Sequence, residues 1–227
     1  MLVKNWMSVN VITVDENEPM SEATRLMKEN DIRMLPVLKK DKLTGIITDR
    51  DLKRASASDA TSLEIHELLY LLINIKIKSI MTKNPITVLP DLTVEETAEI
   101  LLENKISGAP VVDDKGKVVG VITQTDIFKI LISLTGVGKR GIQFAFQVEN
   151  RPGSIREVAD VIRNHGGRMA SILSSYDNVS KGYRKVYIRM YDIDRHKLQK
   201  LQDDLRNTAE LLYFADHREN LPKTYQE

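Results

Sequence analysis

Two short segments, Val9 to Val14 and Lys83 to Val88, read as extended, and each runs into a stretch with apolar residues at helical spacing. The first helix is predicted from near Met20, with Ala23 and Met27 on its apolar face; the second from near Val94, with Ala98 and Leu101. Thr93-Val94-Glu95-Glu96 forms a capping box before the second helix, and Pro19 holds the matching place before the first. Asn30 and Asn104 are the expected stops. Two β-branched runs follow each helix, Met34 to Leu38 then Leu43 to Ile47, and Ala109 to Val112 then Val118 to Ile122. Polar turns join them as hairpins, and a further helix is predicted near Asp49 and near Gln124. The order strand, helix, strand, strand, helix therefore occurs twice.

The identities of the residues repeat as well as their pattern. Pairing Val3–Leu38 with Ile77–Val112 makes 12 of 36 positions identical, among them Met7/Met81, Ile12/Ile86 and Pro36/Pro110; average composition gives roughly two. One extra residue in the turn before Val119 then aligns Gly45, Thr48 and Asp51 with Gly120, Thr123 and Asp126. A duplication of this kind forms one pseudo-symmetric module, divided by sequence into a first repeat at 1–60 and a linker helix with the second repeat at 61–135. The linker helix opens at Thr61-Ser62-Leu63-Glu64, and its apolar residues from Leu63 to Ile75 surround more than one face. That pattern fits a core helix or an oligomer contact.

A glycine-rich stretch at 136–141 separates the repeats from a region with a different pattern. Ile142, Phe144, Phe146 and Val148 alternate as a strand; Asn150 to Gly153 turn; Ser154 to His165 is helical; Gly166-Gly167 ends the helix. Strands at Met169–Ser175 and Arg184–Met190, a helix from Arg195 to Arg206 and a strand at Glu210–Phe214 complete a ferredoxin-like βαββαβ domain over 142–217. Residues 218–227 form a polar tail. The expected fold is α+β or α/β: two units of order βαββα forming a pseudo-two-fold module, then βαββαβ.

Composition narrows the function. Thirty-three basic against 32 acidic residues give no overall field toward nucleic acid. The absence of cysteine excludes disulfides, thiolate metal sites and cysteine nucleophiles. Met1 to Trp6 lacks the apolar run of a signal peptide, and the most apolar window, Leu68 to Ile75, is far below the roughly 20 residues of a membrane span. The cytoplasm is the expected compartment, with no membrane partner.

The chemistry concentrates in a turn of form Gly-h-h-Thr-x-x-Asp, h being apolar, at Gly45–Asp51 and again at Gly120–Asp126. It sets a threonine hydroxyl and an aspartate among the free amides of a helix start, where a phosphate is favoured, and the carboxylate can accept from two ribose hydroxyls. The same spacing is a capping box, and a single copy reads most simply as a cap. Two copies after the same strand pair resemble CBS domains over residues 1–135. That resemblance implies a pseudo-two-fold disc with clefts for an adenosine nucleotide: AMP, ADP, ATP, NAD or S-adenosylmethionine. It implies Asp51 and Asp126 at the ribose and Thr48 and Thr123 at phosphate. The adenine is expected against Val11 and Thr13 with Met34 and Pro36, and against Pro85 and Thr87 with Gly108, Ala109 and Pro110. Arg50 in one copy stands against Thr125 in the other, so two unequal sites are expected, the Thr48/Asp51 site preferring more phosphate charge.

Glu149-Asn150-Arg151-Pro152-Gly153-Ser154-Ile155, followed by Gly166-Gly167, resembles an ACT domain, a sensor that binds amino acids. The implied ligand residues are Asn150, Pro152, Gly153, Ser154 and Ile155, which serve equally well as a turn and cap. The same layout occurs in RNA-binding RRM domains, but Arg184, Lys185 and Ile188 stand where a small residue and stacking aromatics belong, so RNA is not expected. His66, His165, His196 and His217 are isolated and read as surface residues, with no metal spacing, nucleophile motif or phosphate-binding glycine loop. No catalytic residue and no metal are expected.

The whole arrangement resembles the acetoin-utilisation protein B family. It implies a homodimeric regulatory ligand sensor acting on a protein not identifiable from sequence, with the glycine linker as hinge. A structural adaptor with empty clefts, and an enzyme with an unrecognised site, are the alternative classes.

Overall fold

In the computed structural model the described residues are 1–58 and 75–217, with a two-residue strand at 223–224. The expected linker helix falls outside them, except Ile75. The chain divides into two compact units, Met1–Phe128 and Lys129–Glu227.

The first unit contains both repeats. Repeat one supplies β1 (Val14–Asp15), α1 (Met20–Glu29), β2 (Met34–Lys39), β3 (Lys42–Thr48) and α2 (Asp49–Ser58). Repeat two begins with a short helix α3 (Ile77–Ile80) and β4 (Thr82–Lys83), then α4 (Val94–Glu103), β5 (Gly108–Val112), β6 (Val118–Thr123) and α5 (Gln124–Leu134). The helix ends obey the sequence. Thr93 and Glu96 close a reciprocal capping box on α4, and Asn30 and Asn104 are the C-caps of α1 and α4, each returning its side-chain amide to a carbonyl four residues back. The extended segments are shorter than expected. Only Val14 and Asp15 pair with β2, in parallel, and Val88 alone bridges β5.

The repeats exchange their leading segments. Strand order β1-β2-β3-β4 puts the leader of repeat two on the edge of repeat one's sheet, with Lys83 opposite Gly45. Ser8 of repeat one bridges Val121 of β6 in return. Ile77 is fully buried among Val14, Met20, Leu35, Val37 and Ile47, while Val3 is fully buried among Val88, Leu101, Ala109, Val111 and Ile122. The backbone repeats the exchange pair by pair: Pro19 bridges Lys76 as Thr93 bridges Leu2. Two glycines make room for it. A Cβ on Gly45 would lie 2.5 Å from Met81 Sδ and 2.9 Å from the Thr82 carbonyl, and one on Gly120 would collide with Met7 Sδ. Residues 1–8 thus pack in the core of repeat two and 75–83 in that of repeat one, so each core takes a wall from the other's leader.

The second unit shows the expected order, with β7 (Ile142–Glu149), α6 (Ser154–Asn164), β8 (Arg168–Ser175), β9 (Tyr183–Tyr191), α7 (Leu198–Thr208) and β10 (Glu210–Asp216). The sheet runs β11-β10-β7-β9-β8, antiparallel throughout. Val158 and Ile162 of α6 and Leu201 and Leu205 of α7 share one core with Phe144, Phe146, Ile188 and Phe214, so both helices cover the same face. The polar tail contributes β11 (Lys223–Thr224), which pairs with β10. One further expectation changes. His165 is half-buried and lies 2.7 Å from Asp204, not free on the surface. Just before the glycine-rich stretch, Ser171 Oγ and Arg189 Nε donate to the Thr135 carbonyl at 2.9 and 2.8 Å, and Gly136, at φ +65°, packs on Ala170.

Candidate functional site

The paired turns share the same three hydrogen bonds. Asp51 Oδ2 accepts from the Thr48 amide at 2.9 Å and the Thr48 hydroxyl at 2.7 Å, and the Asp51 amide points back to Thr48 Oγ1 at 3.4 Å. Asp126 and Thr123 repeat these bonds at 2.9, 2.7 and 3.4 Å. The capping geometry is thus present in both copies, and it routes each turn's bonds to a single carboxylate oxygen. The turn is fixed from outside too. The Asp49 amide donates to the Arg33 carbonyl and the Gln124 amide to the Ser107 carbonyl, which ties each helix start to the residue before its own β2 or β5.

Strand register brings the other expected residues alongside. Met34 pairs with Thr48, and Gly108 with Thr123, so the start of β2 or β5 adjoins its turn in each repeat. Pro36, Gly108, Ala109 and Pro110 are buried; Met34, Thr48, Asp51, Thr123 and Asp126 are half-buried; Arg50 and Thr125 are exposed. Val11, Thr13 and Pro85 are half-buried and Thr87 is exposed, in the irregular stretches that dock through Val14 on Val37 and through Val88 on Val111. Among the described residues those four share no hydrogen bond with the turns. Arg50 makes no ion pair there either, which leaves its charge available to a ligand.

One contact between the repeats was not foreseen. A Cβ on Gly108 would lie 2.9 Å from Met34 Cε and 3.1 Å from Thr123 Cγ2. Met34 and Gly108 are matched positions, so the long side chain of one repeat ends at the bare backbone of the other. The mismatch of methionine and glycine in the aligned repeats was the only signal of it.

A family model for the CBS domain matches residues 3–58 and again 77–133, the two copies built above. A CBS domain-containing protein of Dictyostelium discoideum is 35% identical over 135 residues, 59% of this chain and 93% of that protein. The chain belongs to the CBS-domain family. The CBS domain pair of protein MJ0100, solved in complex with 5′-methylthioadenosine and S-adenosyl-L-methionine, is 34% identical, with a TM-score of 0.50 over 58% of this chain and 95% of that one. A putative acetoin utilization protein of Vibrio cholerae is 28% identical, with a TM-score of 0.51 over 61% of this chain and 95% of that one. Curated enzymes that share the CBS pair match it over no more than 24% of their own length.

A cavity of about 560 Å³ lies on the helical side of repeat one, lined by Met27, Ile32, Leu52 and Lys53 among others. None of the expected nucleotide residues lines it. The bonding of the turns, repeated residue for residue, is a better guide to this family's chemistry than the presence of a hollow between two amphipathic helices.

In the second unit the turn before α6 has Gly153 as N-cap at φ +90°, with no side-chain cap. Ser154 is buried; its hydroxyl donates to the Arg151 carbonyl and accepts from Arg184 at 3.1 Å. Arg151 spans Glu149 and Glu157, and this pairing holds the Glu157 carboxyl below its usual range. Asn150, Pro152 and Gly153 are exposed and Ile155 half-buried. Arg184, read from the sequence only as a departure from the RRM pattern, has its Nε buried without a hydrogen-bond partner. Among the described residues no cluster of His, Cys, Asp and Glu could hold a metal ion, and no helix is long and apolar enough to cross a membrane.

Proposed function

We propose that this protein is a non-catalytic regulatory sensor that binds an adenosine-containing ligand in the clefts of its CBS pair. The observation that carries the reading is the pair of Thr-x-x-Asp turns, identical in geometry at the starts of α2 and α5. A ribose accepts and donates through two hydroxyls, and a carboxylate fixed by its own threonine meets them without losing side-chain freedom on binding. MJ0100's adenosine ligands, at 34% identity across the pair, support the same chemical class here.

The C-terminal unit has the ferredoxin-like order of ACT domains, and we assign to its Asn150–Ile155 turn a second, carboxylate-bearing ligand. Arg184 favours this, as a buried guanidinium nitrogen without a partner beside a helix start. The working unit is taken to be a cytoplasmic homodimer, for which exposed Leu102, Phe128, Leu131 and Ile132 offer apolar surface. A role in acetoin use rests on the likeness to the Vibrio cholerae protein alone.

Calorimetry with AMP, ADP, ATP, NAD and S-adenosylmethionine tests the first reading. At least one should bind the wild type, and the Asp51→Ala, Asp126→Ala double variant should lose it while keeping its circular dichroism. No binding by any of the five, or binding that survives both changes, would overturn it.

A further inference from the structure

Met34 and Gly108 occupy the same place in the two repeats, yet one side chain is long and the other absent. Met34 begins beside Thr48, its partner in the β2–β3 ladder, and its methyl ends beside Gly108 and the Thr123 methyl. Its side chain thus ends in the other repeat, at position 108. Any side chain at position 108 would meet Met34 Cε, Thr123 Cγ2 and the Ile122 carbonyl at 2.9–3.1 Å, so the space is already taken. Symmetry is thereby broken at one point: the Met34 methyl stands at the bare backbone of position 108 beside Thr123, whereas position 108 has no side chain to send back toward Thr48.

We infer that Met34 is the residue that makes the two clefts unequal, so that an adenosine ligand fills the Thr48/Asp51 cleft first and enters the Thr123/Asp126 cleft only by displacing the Met34 methyl. This rests on the nucleotide reading above and adds an order of filling and its cause. Methionine suits the task because it is unbranched, with three rotatable bonds, and can swing aside where a β-branched residue would be fixed. The second binding event pays for lost packing and the first does not.

The test is a titration of full-length wild type, Met34→Ala and Met34→Leu with the tightest of AMP, ATP and S-adenosylmethionine. Wild type and Met34→Leu should show two phases separated by about tenfold or more in Kd. In Met34→Ala the gap should close to within about threefold, through tightening of the second phase. Asp51→Ala should remove the tight phase and Asp126→Ala the weak one. In case Met34→Ala folds poorly, ¹³C-methyl methionine spectra of the wild type give an independent readout: the Met34 methyl should move chiefly with the second equivalent. Two equal sites in the wild type, an unchanged gap in Met34→Ala, or a Met34 methyl that ignores the second equivalent would overturn the inference while leaving the sensor reading intact. Absence of binding in every variant overturns both.

Discussion

Replacing Ile77 by alanine tests the exchange of leaders. Ile77 lies in the sequence of repeat two but is fully buried in the core of repeat one. The change removes three carbon atoms' worth of buried hydrocarbon, about 2.4 kcal/mol at ~0.8 kcal/mol per group. The cavity left between Val14, Leu35 and Ile47 adds to it, for a total of about 3–4 kcal/mol within the range of such truncations. Hydrogen exchange read by mass spectrometry distinguishes where the cost falls. Amides of β2 and β3, residues 34–48, should lose protection while those of β5 and β6 change little; Val3→Ala should do the converse at about 1.5–3 kcal/mol. Loss of protection in β5 and β6 upon Ile77→Ala, or a total cost below about 1 kcal/mol, would refute the exchange.

Two further outcomes follow from the same geometry. Gly45→Ala should destabilise repeat one by about 1–3 kcal/mol, since both Met81 Sδ and the Thr82 carbonyl stand in the way; Gly138→Ala, with nothing within 4 Å, should be near neutral, and equal melting shifts for the two would count against close packing at Gly45. Hydrogen bonds from Thr93 hold the Glu96 carboxyl below its usual value. The capping box therefore contributes fully above the usual carboxylate range and is lost as pH falls through the lowered folded-state value; thermal melts from pH 7 down to 3 should narrow the gap between wild type and Glu96→Gln, and a gap that widens toward acid would contradict the assignment.

Local grammar made the elements readable. Caps at Thr93, Asn30 and Asn104 act within four residues, and the alternation of Ile142, Phe144, Phe146 and Val148 states directly which side of β7 is buried. The paired turns were readable for the same reason, being Thr and Asp three apart. The exchange of leaders was not, because Val3 and Leu92 are joined by a backbone bond across most of the module, and no local period records it. Its trace was nevertheless present as a coincidence of identities: Met7 and Met81 recur together with Gly45 and Gly120, the four residues that fit into one another. The glycine content of 136–141 does not record the neighbouring bond from Arg189, which arrives from more than fifty residues away to hold the Thr135 carbonyl.

The crossed leaders also impose an order in time. Val3 is made well before Ile122, and the pocket that receives it is unfinished until Ile122 has followed, on the order of ten seconds later at ~5–20 residues per second. Repeat one cannot close its core before Ile77 arrives, and repeat two cannot close without a segment made long before the rest of it. Neither half has a finished core that precedes the other's, so the two repeats complete their folding together.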